Sequence, residues 1–206
     1  SAPSAPSGSH YHAVGFEWSS VRRILLVPFI NESASPRISD ELRAALSTEL
    51  QSAGHFEIIL APSDIPVTCS ENVRVHGRFD EAELIELANR HQVDGILLGT
   101  VTQYQPYAPP RIGLSLRLIS PSEAVVIASQ DGVWDARDKP TAERAKSYGL
   151  ETSMTGQSRL GGDLVLTSPH LFQRFVCHEA AQGLMESNSR MDAVSSSARN
   201  GLQTAQ

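Results

Sequence analysis

The sequence predicts an α/β domain in which a parallel βαβαβ core is extended by an antiparallel hairpin and followed by a C-terminal helix. Three observations predict it. Arg23-Ile-Leu-Leu-Val-Pro-Phe-Ile30 is a short unbroken apolar run, the pattern of a strand covered on both faces. Helical periods then alternate with further apolar runs as far as Thr102. Past residue 111 the period drops to two: Ile112, Leu114, Leu116 and Leu118 alternate with Gly113, Ser115, Arg117 and Ile119, as in a strand with one face on a core.

The elements follow in order. Residues 1–15 read as a tether, because Ser1-Ala-Pro-Ser-Ala-Pro-Ser-Gly-Ser9 holds too little apolar surface to offset the entropy of an ordered chain. Phe16 and Trp18 are expected to cover the core from an ordered arm. Strand one runs over 23–30, with Pro28 near its end. Ser39 can cap a helix carrying Leu42, Ala45, Leu46, Leu50 and Ala53 at helical spacing, and Gly54 supplies a left-handed stop. Phe56–Leu60 returns as strand two. Residues 61–79 carry two prolines and read as a loop, with a short strand over 73–76.

Asp80-Glu-Ala-Glu83 has the character of a helix start ahead of Leu84, Leu87, Ala88 and His91. Val93–Thr102 is strand three, joined to its predecessors by right-handed crossovers. Ser120-Pro-Ser-Glu123 turns the chain into Val125–Trp134, completing the hairpin. A short helix is expected over Thr141–Tyr148, then a polar connection from Gly149 to Leu166. Ser168-Pro169 opens the last helix, which runs to about Glu186. The domain is expected to span 16–187, and 188–206 reads as a polar tail of Ser, Ala, Asn and Gln.

Composition excludes several classes. With a formal charge of −6 over 206 residues and no basic run, the chain lacks the Lys and Arg concentration that phosphate backbones require, so no nucleic-acid partner is expected. Only Lys139 and Lys146 among the 17 cationic residues are Lys; Arg suits fixed carboxylate pairs, which favours structural ion pairs over a flexible cationic surface. The longest apolar block, Ile24–Ile30, falls far short of the roughly 18–20 residues of a membrane-spanning helix. Cys69 and Cys177 either pair, closing a long loop for a stabilisation of about 4–5 kcal/mol, or Cys177 is a buried helix residue, the reading its neighbours favour.

Arg23-Ile-Leu-Leu-Val-Pro-Phe29, Asp40-Glu-Leu-Arg-Ala-Ala-Leu-Ser-Thr-Glu-Leu50, Ala88-Asn-Arg-His-Gln-Val-Asp-Gly-Ile-Leu-Leu-Gly-Thr-Val101 and the hairpin Leu114–Val133 occur in that order over residues 23–135. This succession resembles the small envelope domain shared by the curli-secretion lipoproteins, the amino-terminal domain of the TolB translocation protein and the lipoprotein activators of penicillin-binding proteins. The resemblance implies the TolB amino-terminal, anticodon-binding-domain-like fold and a periplasmic, outer-membrane-associated location. It also implies a non-enzymatic assembly or accessory role, and a lipidated Cys ahead of Ser1, where the absence of an initial Met leaves room for a removed signal. Its implied partners are other envelope proteins or copies of itself. The chain departs from the curli channel in carrying no surplus pair of amphipathic membrane strands, so a pore is not expected.

Chemistry is sparse. The turn after strand one, Asn31-Glu-Ser-Ala-Ser-Pro-Arg37, has no glycine to admit a pyrophosphate, and Gly156-Gln-Ser158-Arg-Leu160 lacks the closing glycine and preceding strand of a nucleophile elbow. His10-x-His12 would hold a transition metal only weakly from a tether, and Asp131, Asp135 and Asp138 read as a solvated strand end, so no cofactor or metal site is expected. Against the non-enzymatic reading stands a small-molecule-binding module or enzyme subunit with a pocket at the carboxyl ends of the parallel strands, where Asn31, Glu32, Thr102 and Gln103 fall.

Partner-binding residues are expected in two places. Tyr104-Gln-Pro-Tyr107-Ala-Pro-Pro110 sets two tyrosines among prolines, to meet a partner or to cover the sheet edge. In the last helix Phe172, Val176, Ala180 and Leu184 form a row for the core, while Leu171, Phe175, His178 and Met185 form a second apolar face. That face either meets a partner or lies under residues 140–166.

Overall fold

The computed structural model describes residues 8–53, 56–63, 80–152 and 160–185. Among them, seven strands form one mixed sheet: β1 (Ser9–His12), β2 (Arg23–Leu26), β3 (Ile30–Asn31), β4 (Glu57–Leu60), β5 (Gly95–Gln105), β6 (Arg111–Ser120) and β7 (Val125–Asp135). The helices are α1 (Ile38–Ser52), α2 (Glu81–His91), α3 (Lys139–Thr152), α4 (Leu160–Val165) and α5, residues 169–185. The sheet order is β1-β7-β6-β5-β2-β4, with β3 also against β5. Strand β2 pairs parallel with β4 and β5, whereas β5, β6, β7 and β1 pair antiparallel in succession. This is the α/β class that the changing hydrophobic period predicts, and β5 is the strand where its parallel and antiparallel parts meet.

The first apolar run is divided rather than continuous. Pro28 has no N–H to give a ladder, so β2 ends at Leu26 and pairing resumes at Ile30; Val27 N–H still donates to the Leu97 carbonyl at 3.2 Å. Helix α1 starts one residue before the expected cap: Ser39 sits inside its first turn and no side chain caps it, while Asp40 and Glu41 there complement the helix dipole. Helix α2 starts as expected, with Asp80 Oδ1 accepting from the backbone N–H groups of Ala82 and Glu83 at 3.1 and 3.4 Å.

The core has two layers, one on each face of the sheet. On one face α1 and α5 bury Ile24, Leu26, Leu97, Val101, Leu114, Leu116 and Trp134, joined by Phe16 and Trp18 from the amino-terminal arm as expected. On the other, Leu84 and Leu87 of α2 cover Leu25, Val27, Ile96, Leu98 and Ile119. Helix α5 comes so close to β7 that a Cβ on Gly183 would lie 2.2 Å from Gln130 Oε1.

Three elements differ from expectation. Ser9–His12, within the stretch read as tether, form edge strand β1, with Ser9 opposite Asp131 and His12 opposite Ala128. The helix expected over 141–148 extends to 139–152, taking in Gly149, and α4 lies within the stretch expected as a connection. Gly162 of α4 sits so near α3 that a Cβ there would stand 3.2 Å from the Lys146 carbonyl. The expected stop at Gly54, strand at 73–76, Cys69, the Gly156–Ser158 loop, the expected helix end at Glu186, residues 1–7 and the whole tail 188–206 fall outside the described residues.

Candidate functional site

The second face of α5 is expected to meet a partner or to lie under residues 140–166, and its central ring follows the second expectation. Phe175 is only 1% exposed, its ring 5.7 Å from Phe172 and 5.9 Å from Tyr148 of α3. Leu171 and Met185 are half-buried against the same core. Tyr148 and Arg144 of α3 pack on the second face of α5 and bury Phe175, while Leu171, His178 and Met185 keep partial exposure. Cys177 on the first face is a free buried thiol whose Sγ donates to the Leu42 carbonyl at 3.5 Å, and burial pushes its pKa well up.

His178 belongs to a polar junction between α1, α3 and α5. Its Nδ1 lies 3.0 Å from Glu49 Oε2 and its Nε2 3.0 Å from Gln182 Nε2, while the Tyr148 hydroxyl reaches Glu49 Oε1 at 3.5 Å. Burial, then the adjacent Glu49 charge, raises the Tyr148 phenol above its ordinary value. A second junction ties α3 to β7 through α5: Glu179 accepts from Trp134 Nε1 at 2.7 Å and from Arg144 Nε at 2.6 Å. These bonds satisfy polar atoms that burial would otherwise leave costly, and they fix the cover on Phe175.

The aromatic loop divides its two tyrosines. Tyr104 is half-buried; its hydroxyl accepts from Gln173 Nε2 at 3.0 Å, the same amide donates to Glu41 Oε2 at 3.1 Å, and burial raises the phenol. Tyr107 is 81% exposed in the β5–β6 connection. Of the six residues expected to meet a partner, Tyr107 is the one that the fold presents to solvent as a large ring.

A further surface was not legible beforehand. Along β6 and β7 a row of residues facing away from α1 and α5 keeps partial exposure: Ser115 and Arg117, then Ser129, Asp131 and Val133, with Tyr11 of β1 alongside. Tyr11 is 53% and Val133 42% exposed. Arg117 Nη2 pairs with Asp131 Oδ2 at 2.8 Å across the strands. The expected acidic cluster is thus divided, for Asp135 pairs with Arg137 at 2.8 Å and Asp138 Oδ2 accepts from the Thr141 N–H and hydroxyl at 3.1 and 2.8 Å. The hydrogen bond from Arg137 holds the Asp135 carboxyl below its usual range.

At the strand-end crevice of the alternative reading, Asn31 is engaged within its own turn. Asn31 donates to the Ser35 carbonyl at 2.6 Å and accepts from the Ser33 N–H and hydroxyl at 3.0 and 2.7 Å, closing its own turn. A cleft of about 510 Å³ lies instead at the amino ends of β2 and β5, between Ile85 and Asn89 of α2, Asp94, and Ser120–Ser122 of the hairpin turn. Asp94 Oδ2 in it already accepts from the N–H groups of Arg22 and Arg23 at 2.9 and 3.0 Å.

No family profile and no curated relative matches the sequence. Solved structures overlap it in part. A dodecameric PelC from Paraburkholderia phytofirmans is 17% identical, with a TM-score of 0.46, over 62% of this chain and 81% of that one. Lipoprotein GNA1162 from Neisseria meningitidis is 18% identical, with a TM-score of 0.41, over 70% and 92%. The LpoB C-terminal domain from Salmonella enterica is 17% identical, with a TM-score of 0.39, over 59% and 86%. Overlap at this level does not specify what a chain binds.

Proposed function

We propose that this is a non-enzymatic, periplasm-facing envelope protein of the curli-secretion and TolB amino-terminal type, acting in assembly or as an accessory subunit through contacts with other envelope proteins or copies of itself. The membrane connection in this reading is a lipidated Cys ahead of Ser1, as the sequence resemblance over residues 23–135 implies. The observation that carries the docking role is Tyr107: a large amphipathic ring, 81% exposed among prolines, on a connection whose base is held by the Tyr104–Gln173–Glu41 bonds. An aromatic side chain with few rotors, held out on a fixed base, loses little entropy on contact and is the residue type that dominates interface energetics. The Asp135 pairs with Arg111 and Arg137 at the base of that connection would supply the polar rim of such a contact.

Tyr107→Ala should leave the melting temperature unchanged and weaken association at least tenfold, on the order of 1.4 kcal/mol or more, by sedimentation of the protein alone and by crosslinking in envelope preparations. Unaltered association in both would remove Tyr107 as the anchor.

A further inference from the structure

We propose that His10 and His12 form a two-histidine site for a borderline transition-metal ion such as Zn(II), Ni(II) or Cu(II). As part of a solvated tether this pair would have no defined spacing; β1 gives it one. Residues two apart on a strand share a face, and the ladder places His10 opposite Gln130 and His12 opposite Ala128.

The ring centroids stand 5.9 Å apart. One ion bound at about 2.0–2.1 Å by a nitrogen of each ring, with each nitrogen about 1.2 Å from its own centroid, spans centroids up to roughly 6.4 Å apart. That bound is for a linear arrangement; a tetrahedral angle brings the centroids to about 5.2 Å, so the observed pair reaches it with less than about 1 Å of ring movement. The second observation is the His12 tautomer. Its Nε2 lies 3.0 Å from the Leu184 carbonyl of α5, a group that can only accept, so Nε2 carries the proton and the neutral ring keeps its lone pair on Nδ1. A ligating histidine commonly has its other N–H held by a carbonyl in this way, which orients the ring and strengthens its basicity. Trp18 adds an edge contact to His12 at 5.9 Å, further restricting that ring.

Imidazole ligands suit zinc, nickel and copper, and two protein ligands leave the remaining coordination positions to water or to a group from another molecule. Binding would join two residues of the edge strand through one ion, and because β1 sets their spacing the ion would favour the folded chain by mass action. The inference is independent of the docking role assigned to Tyr107.

Calorimetric titration of the full chain with NiCl₂ and ZnCl₂ tests it, with His10→Ala as the deciding variant because His10 is exposed and the substitution keeps the His12–Leu184 bond. The wild type should take up one ion at this site and melt at a higher temperature with metal. His10→Ala and His12→Ala should each weaken that uptake by about tenfold or more and abolish the shift. Cu(II) should quench tryptophan emission in the wild type, through Trp18, and not in His10→Ala. Wild-type uptake only at millimolar metal, or His10→Ala binding and melting like the wild type, would overturn the assignment.

Discussion

The parallel and antiparallel parts of the sheet solve the same packing problem differently. In β2 the successive residues Leu25 and Leu26 point to opposite faces and both are fully buried, Leu25 under α2 and Leu26 under α1 and α5. Over Leu114–Leu118 of β6 and Ala128–Asp131 of β7 burial alternates, so one row is dry and its neighbour partly exposed. A strand covered on both sides presents no row of side chains to a partner; a strand covered on one side presents every second residue. The recognition surface proposed here therefore belongs to the antiparallel part, and the difference is written in the sequence as a change from an unbroken apolar run to strict alternation.

Single substitutions test that contrast, from the largest expected effect downward. Phe175→Ala should cost about 3–5 kcal/mol in urea unfolding, matching Phe172→Ala, because α3 buries Phe175; a cost near zero would return the second face of α5 to the surface. Leu25→Ala and Leu26→Ala should each cost about 2–5 kcal/mol, and a mild effect at Leu25 would mean that α2 does not seal its face. Arg117→Ala should cost less than about 1 kcal/mol, since its pair with Asp131 is partly solvated. A larger loss would show that the open row of β6 is buried in the protein as it exists in solution.

Most of the framework could be read because it rests on local patterns: the run at 23–30, the Asp80 cap, the alternation after residue 111 and the Ser168-Pro169 start. The elements missed depend on distant partners. Nothing in Ser-His-Tyr-His marks β1 as a strand, since its order comes from pairing with β7 and from the His12–Leu184 bond, both supplied by residues far along the chain. The second face of α5 was visible as a spacing, but spacing does not say what covers it. The cover is Tyr148 with the Arg144–Glu179–Trp134 bonds, and the glycine at 149 disguised the length of the helix that carries them. Of the expected partner residues, Tyr107 keeps its exposure because prolines at 106, 109 and 110 limit how a connection can fold back.

The position of β5 also bears on the order in which the sheet forms. Strands β5, β6 and β7 follow one another through two short connections, so their ladders close over small loops, whereas the β1–β7 ladder joins segments on the order of a hundred residues apart and carries a correspondingly larger closure entropy. The two hairpins are thus the part that forms early, and Ser9–His12 settle onto an edge that already exists. The reverse path gives the same ranking: amide hydrogens of β1 should exchange first and those of β5 and β6 last, making the edge strand the place where this fold opens.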